Sequence, residues 1–170
     1  TYPQAGEDVS YAFDQSPDHP NTSCGNSIGR LCRVVDATGT HEYQYDAWGN
    51  VVTSTWINNG VSGTATLITQ YQYDDANRVT KVIYPSNLEV EYQRDAIGRV
   101  SAVHSPQGTQ TEIIADQFSY RADGLIKSSR LGNNQPLTQS HDQQGRLIQQ
   151  QLDGSPLADY QYDANGNVIQ

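Results

Sequence analysis

The chain has 170 residues and a net charge of −9, from 10 Lys and Arg against 19 Asp and Glu, and an acidic excess of this kind repels phosphate and argues against a nucleic-acid partner. With 35% hydrophobic residues, and 11 Tyr against 2 Phe and 2 Trp, it is too polar for a thick two-sided core and too rich in strand formers for disorder. No apolar run reaches the roughly 18 residues of a membrane span, and no basic stretch followed by an apolar one opens the chain as a signal peptide does.

Read in order, the chain repeats one pattern of the form Tyr-x-Tyr-Asp-x-x-Gly, followed by Arg or Asn and then by Leu or Val. The first copy is split: Tyr11-Ala-Phe-Asp14 is separated from Gly29-Arg-Leu31 by an insertion at about 15–28 that carries Pro17, Pro20 and Cys24. The second is Tyr43-Gln-Tyr-Asp-Ala-Trp-Gly-Asn-Val51, with Tyr43, Tyr45, Asp46 and Gly49 in the key positions. In the third, Tyr71, Tyr73 and Asp74 are followed by Asn77 where the glycine should stand. The fourth keeps Asp95, Gly98 and Arg99. A fifth has Arg121 at the acid position and retains Gly124, the sixth has Asp142, Gly145 and Arg146, and the seventh has Tyr160, Tyr162, Asp163 and Gly166.

The acid register steps by 21 residues from 74 to 95, from 121 to 142 and from 142 to 163. It steps by 26 from 95 to 121, by 28 from 46 to 74 and by 32 from 14 to 46. A short fixed period with loop-sized excess marks a repeat architecture whose insertions collect in turns. The whole span 1–170 therefore reads as a single array of seven repeats, with no separate toxin or protease domain. The chain contains no Met and stops within a copy, which predicts a piece of a longer protein.

Each unit is a hairpin. A Tyr-x-Tyr pair puts both rings on one face of a strand, because side chains alternate with period two. In Asp-x-x-Gly the carboxylate can accept from a backbone N–H two residues on, and the glycine supplies the positive φ that returns the chain to a strand. Asn77 tolerates that conformation next best, which favours a backbone role for the motif over a chemical one. A second turn closes each unit, at Asp36–Gly39, Pro85–Asn87, Ser105–Gly108, Leu131–Asn134 or Asp153–Pro156. The expected fold is all-β, an antiparallel hairpin meander of about a dozen strands.

A tyrosine-aspartate period of this length resembles the YD or Rhs repeat of bacterial Rhs polymorphic toxins, the C components of Tc insecticidal toxins, and animal teneurins. The resemblance covers the chain from Tyr11 to its last residue. It implies a strip that spirals into a hollow β-shell enclosing or scaffolding a C-terminal toxin domain, as part of an exported bacterial protein. The expected partners are neighbouring repeats and the enclosed domain, with self-association through free sheet edges. Stacking of tyrosine rings from one hairpin to the next is expected to bury area. The family's closing segment, rich in Asp-Pro, is absent from this sequence, so self-cleavage is not implied for it.

Other readings are weaker. No Gly-x-Ser-x-Gly elbow is present and His19, His41, His104 and His141 are scattered, so no catalytic residue is assigned. Asp163-Ala-Asn-Gly-Asn167 mimics the opening of a calcium loop but lacks its sixth-position glycine and its twelfth-position glutamate, and neither metal nor cofactor is expected. Cys24 and Cys32 could form a local disulfide or stay as two thiols. Asn21-Thr-Ser23 fits a glycosylation sequon. A carbohydrate-binding module is the alternative function, with Trp48 and Trp56 as the residues to stack on glycans.

Overall fold

A computed structural model describes residues 8–14, 24–60 and 63–169. Most of the insertion, with Pro17, His19, Pro20 and the sequon at Asn21, lies outside the described residues. The described residues form thirteen β-strands and no helix, so the fold is all-β. The chain divides into two compact units, 1–89 and 90–170.

The first unit holds β1 (Ser10–Phe13), β2 (Leu31–Asp36), β3 (Gly39–Tyr45), β4 (Val51–Gly60), β5 (Gly63–Tyr73) and β6 (Val79–Ile83). Each pairs antiparallel with the next. The second unit begins within β7 (Glu89–Arg94) and continues with β8 (Val100–Gln107), β9 (Gln110–Tyr120), β10 (Ile126–Leu131), β11 (Pro136–His141), β12 (Leu147–Leu152) and β13 (Ser155–Asp159). It too is an antiparallel meander in sequence order. Extra length in the repeat period goes into two long hairpins, β4–β5 and β8–β9.

Two kinds of turn join these strands. Asp36↔Gly39 and Leu152↔Ser155 close tight two-residue hairpins. Two other second turns copy the motif turn in backbone form: Tyr84 N–H donates to Leu88 O at 2.9 Å and Leu131 N–H to Gln135 O at 2.9 Å. There Asn87 and Asn134 take positive φ values of 62° and 66°. One turn sits later than its sequence suggests. Ser105 and Pro106 belong to β8, paired with Glu112 and Thr111, and the reversal falls between Gln107 and Gln110. Proline is accommodated because Pro106 lies beyond His104, the last β8 residue paired with β7, so no ladder bond needs its missing N–H.

Buried apolar side chains among the described residues are small: Cys24, Cys32, Val82, Val90, Ala102 and Ala115. A single sheet layer offers no second surface to pack against. Its stability must come from the ladder itself and from contacts between successive repeats.

Candidate functional site

The motif turn is built the same way in the five uninterrupted copies that keep the acid. Oδ1 of the aspartate accepts two backbone N–H groups, from residues two and four positions on. For Asp46 these are Trp48 and Asn50, both at 2.9 Å, and for Asp95 they are Ile97 at 3.1 Å and Arg99 at 2.9 Å. Asp74, Asp142 and Asp163 repeat the arrangement. Oδ2 takes the side chain at the fourth position: Arg78 Nε at 2.8 Å, Arg99 Nε at 2.8 Å, Arg146 Nε at 2.6 Å, or the amides of Asn50 and Asn167 at 2.9 Å. The aspartate N–H meanwhile donates to the carbonyl of that same fourth residue. The result is a type I turn followed by one left-handed residue. Gly49, Gly98, Gly124, Gly145 and Gly166 occupy that position at φ between 81° and 89°, and Asn77 at 59°.

These bonds hold the carboxyls of Asp46, Asp74, Asp95, Asp142 and Asp163 below the ordinary carboxylate range. In Asp74 and Asp163 the largest influence is the bond from Arg78 or Asn167, followed by the backbone N–H groups. In Asp46, Asp95 and Asp142 partial burial is the largest single influence and pushes upward, and the combined side-chain and backbone bonds outweigh it.

Degraded copies retain the backbone form by other means. In the fifth, Arg121 N–H still donates to Leu125 O at 2.8 Å, while Asp123 ion-pairs with Arg121 at 2.8 Å and accepts from Leu125 N–H. In the split first copy, Asp14 N–H reaches Arg30 O at 3.1 Å and its carboxylate accepts from Gly29 N–H. The insertion has therefore grown out of a turn without breaking its closure. Cys24 and Cys32, joined as a disulfide with Cα atoms 5.8 Å apart, brace its returning limb. Cys24 O accepts the Tyr45 N–H at 3.1 Å on the same limb.

Sequence reasoning missed the contact that joins one copy to the next. The second tyrosine donates its hydroxyl to the carbonyl just after the preceding copy's Gly-Arg or Gly-Asn: Tyr45 to Leu31 at 2.6 Å, Tyr73 to Val51 at 2.8 Å, Tyr120 to Val100 at 2.6 Å and Tyr162 to Leu147 at 2.7 Å. Arginine of the preceding copy lies over the same ring: Arg30 at 5.7 Å from the Tyr45 centroid, Arg99 at 4.5 Å from Tyr120 and Arg146 at 4.5 Å from Tyr162. These rings are thus covered by guanidinium groups rather than stacked on other tyrosines. Burial raises the hydroxyls of Tyr45, Tyr73 and Tyr120 above the usual tyrosine range, in keeping with a half-buried donor. A β-bulge sits at this register in each of the first six copies. Bulges re-aim a side chain, and here they occur where the second aromatic must cross to its neighbour. A signal existed in the sequence, since Arg30, Arg99 and Arg146 each precede a copy that keeps its second tyrosine.

The other sequence candidates are dispersed. His41, His104 and His141 lie on β3, β8 and β11. Among the described residues no group of three or more His, Cys, Asp or Glu could hold a metal ion. Trp56, in the middle of β4, stacks on His41 with centroids 5.6 Å apart, about 17 Å along the strand from Val51 at the usual rise per residue. Trp48 sits instead in the β3–β4 turn and is 76% exposed. The two indoles are on separate parts of the unit.

The repeat is also recognised by comparison. A model of the family described as RHS Repeat matches residues 25–55 and 73–110. Both matched segments are RHS repeats. Solved structures with the fold of this chain include a TcdB2–TccC3–Cdc42 crystal structure, at 18% identity and a TM-score of 0.69, covering 95% of this chain and 9% of that one. TcdB2–TccC3 without its hypervariable C-terminal region gives 18% identity, a TM-score of 0.68 and the same coverages. The Tc holotoxin pore of Photorhabdus luminescens gives 19% identity and a TM-score of 0.66, covering 95% of this chain and 8% of that one. The chain thus spans less than a tenth of the length of the structures it matches. No curated protein matches it.

Proposed function

We propose that the chain is a structural segment of an RHS-repeat shell that encloses or scaffolds a toxin domain within a longer, exported bacterial polypeptide. The observation that carries this reading is the copy-to-copy clamp, in which the hydroxyl of Tyr45, Tyr120 or Tyr162 and an arginine of the preceding copy tie one hairpin to the one before it. The motif's carboxylates and arginines are engaged in building turns and ring contacts, which is what a wall requires. Chemistry on a substrate would require them free. No helix among the described residues is long and apolar enough to cross a membrane. The likeness to TccC3-containing structures supports the same reading at the level of fold.

Protease protection tests it. In the parent polypeptide, a segment following the repeats should resist digestion while the wall is intact. Joint replacement of Tyr45, Tyr73, Tyr120 and Tyr162 by Phe should expose it. Equal digestion with and without the repeats would defeat the shell reading. The chain by itself should associate through its free sheet edges, and a strictly monomeric particle in solution scattering would count against that. The alternative reading, a carbohydrate-binding module, is supported by the exposed Trp48 alone, because Trp56 is engaged with His41. A glycan array probed with the wild-type chain and Trp48→Ala separates the two.

A further inference from the structure

A cleft of about 290 Å³ opens between two successive motif turns of the first unit, with Asp46, Trp48, Tyr71, Tyr73, Asp74 and Asp75 in its lining. Its volume is at the small end of ligand sites, the size for one side chain rather than an extended ligand. Asn50 Nδ2 donates both to Asp46 Oδ2 at 2.9 Å and across the gap to Asn77 Oδ1 at 2.8 Å, so the two turns are held at a fixed spacing. The cleft is preformed. Asp46 Oδ1 fixes the backbone of Trp48 at 2.9 Å, and the indole at the cleft is 76% exposed, which is unusual for so large an apolar ring.

Charge decides what such a cleft suits. Arginine normally stands four residues after the motif's aspartate, and here Asn50 replaces it, leaving the Asp46 carboxylate with an amide partner in place of an ion pair, although the Arg30 guanidinium packs against Gly49 in the same turn. In the adjacent turn Arg78 neutralises Asp74 at 2.8 Å, but Asp75 adds a second, exposed carboxylate. An exposed indole thus lies beside two carboxylates that form no ion pair among the described residues. The seventh copy also has asparagine in the arginine position, Asn167, yet Asn165 occupies the place of Trp48. The combination is particular to the second and third copies.

We propose that this cleft docks an arginine side chain from a basic segment of a partner polypeptide, its guanidinium lying on the Trp48 ring with Asp75 and Asp46 as counter-charges. Arginine suits the site better than lysine because a planar, weakly hydrated guanidinium can stack on an aromatic face and bond a carboxylate in the same pose. A neutral sugar would stack on the indole but would leave both carboxylates without a counter-ion.

The test follows the Trp48 indole N–H resonance in the full chain, assigned by its loss in Trp48→Phe, during titration with a blocked Gly-Arg-Gly peptide. Gly-Gln-Gly and a chitin oligosaccharide serve as controls. The arginine peptide should shift the resonance saturably and the glutamine peptide should not. Binding should weaken about ten-fold in Trp48→Ala, followed through backbone resonances of the turn, in keeping with a cation–π contact. It should weaken several-fold in Asp75→Asn and on raising salt. Both substitutions fall at exposed positions, so retained far-ultraviolet dichroism confirms that the fold is intact. No shift at millimolar arginine peptide, affinity unchanged in Asp75→Asn, or equal binding of the oligosaccharide would each overturn the proposal, the last in favour of a glycan site.

Discussion

Removing one oxygen distinguishes the two tyrosines of a single motif. Tyr73 donates its hydroxyl to Val51 O at 2.8 Å, whereas the Tyr71 hydroxyl has no hydrogen-bond partner among the described residues. Tyr73→Phe therefore deletes a copy-to-copy bond and leaves a half-buried carbonyl short of that donor, while Tyr71→Phe keeps ring area and deletes nothing. A net hydrogen bond contributes about 0.5–1.5 kcal/mol, and the stranded acceptor raises the expected loss to about 1–2 kcal/mol. For a chain of this length that corresponds to a fall of roughly 2–8 °C in melting temperature. Urea unfolding followed by circular dichroism, with unchanged m values, is the measurement. Tyr120→Phe should cost a similar amount through Val100, and the two losses should add because the sites are independent. Equal losses for Tyr71→Phe and Tyr73→Phe would refute the clamp as a source of stability, as would a loss below about 0.3 kcal/mol for Tyr73→Phe.

Gly145→Val and Gly166→Val should each cost more than about 1 kcal/mol, from backbone strain at φ 81° and 84° rather than from clashes, since an added Cβ would come no nearer than 3.4 Å to a neighbour. Asp163→Asn should shift the melting temperature far less, because an amide oxygen can still accept from Asn165 and Asn167, and comparable losses for all three would contradict this account of the turn. The motif carboxyls titrate lower in the folded chain than in the unfolded one, so their contribution is complete above the unfolded carboxylate range, near pH 4, and is lost as pH falls through the lowered folded values. Stability should thus be level from pH 7 to about 5 in this respect and fall below about 4, and the asparagine counterparts of Asp74, Asp95 and Asp142 together should flatten that fall in denaturant titrations at each pH. Replacing Cys24 and Cys32 by Ser should lower stability by about 2–3 kcal/mol for a loop of this length, with dithiothreitol reproducing the loss in the parent chain and having no effect on the variant.

The sequence by itself determined the hairpin, the place of the motif turn and the all-β class, because these depend on residues within about four positions of one another. Aspartate, glycine and arginine at fixed offsets specify the same turn in any surroundings. Even the copy that lost its acid at Arg121 keeps that turn, since Gly124 and the backbone bonds suffice. Tertiary structure alone decided what the second tyrosine does. Its partner carbonyl lies 14 to 22 residues away, and the pair meet only when strand register and a bulge at that position bring them together. The same dependence hides the Trp48 cleft, which forms because Asn50 and Asn77, 27 residues apart, bond across two turns. Alternation and turn chemistry are local and leave a periodic trace in the chain, whereas a contact between copies is fixed by how neighbouring strands are staggered.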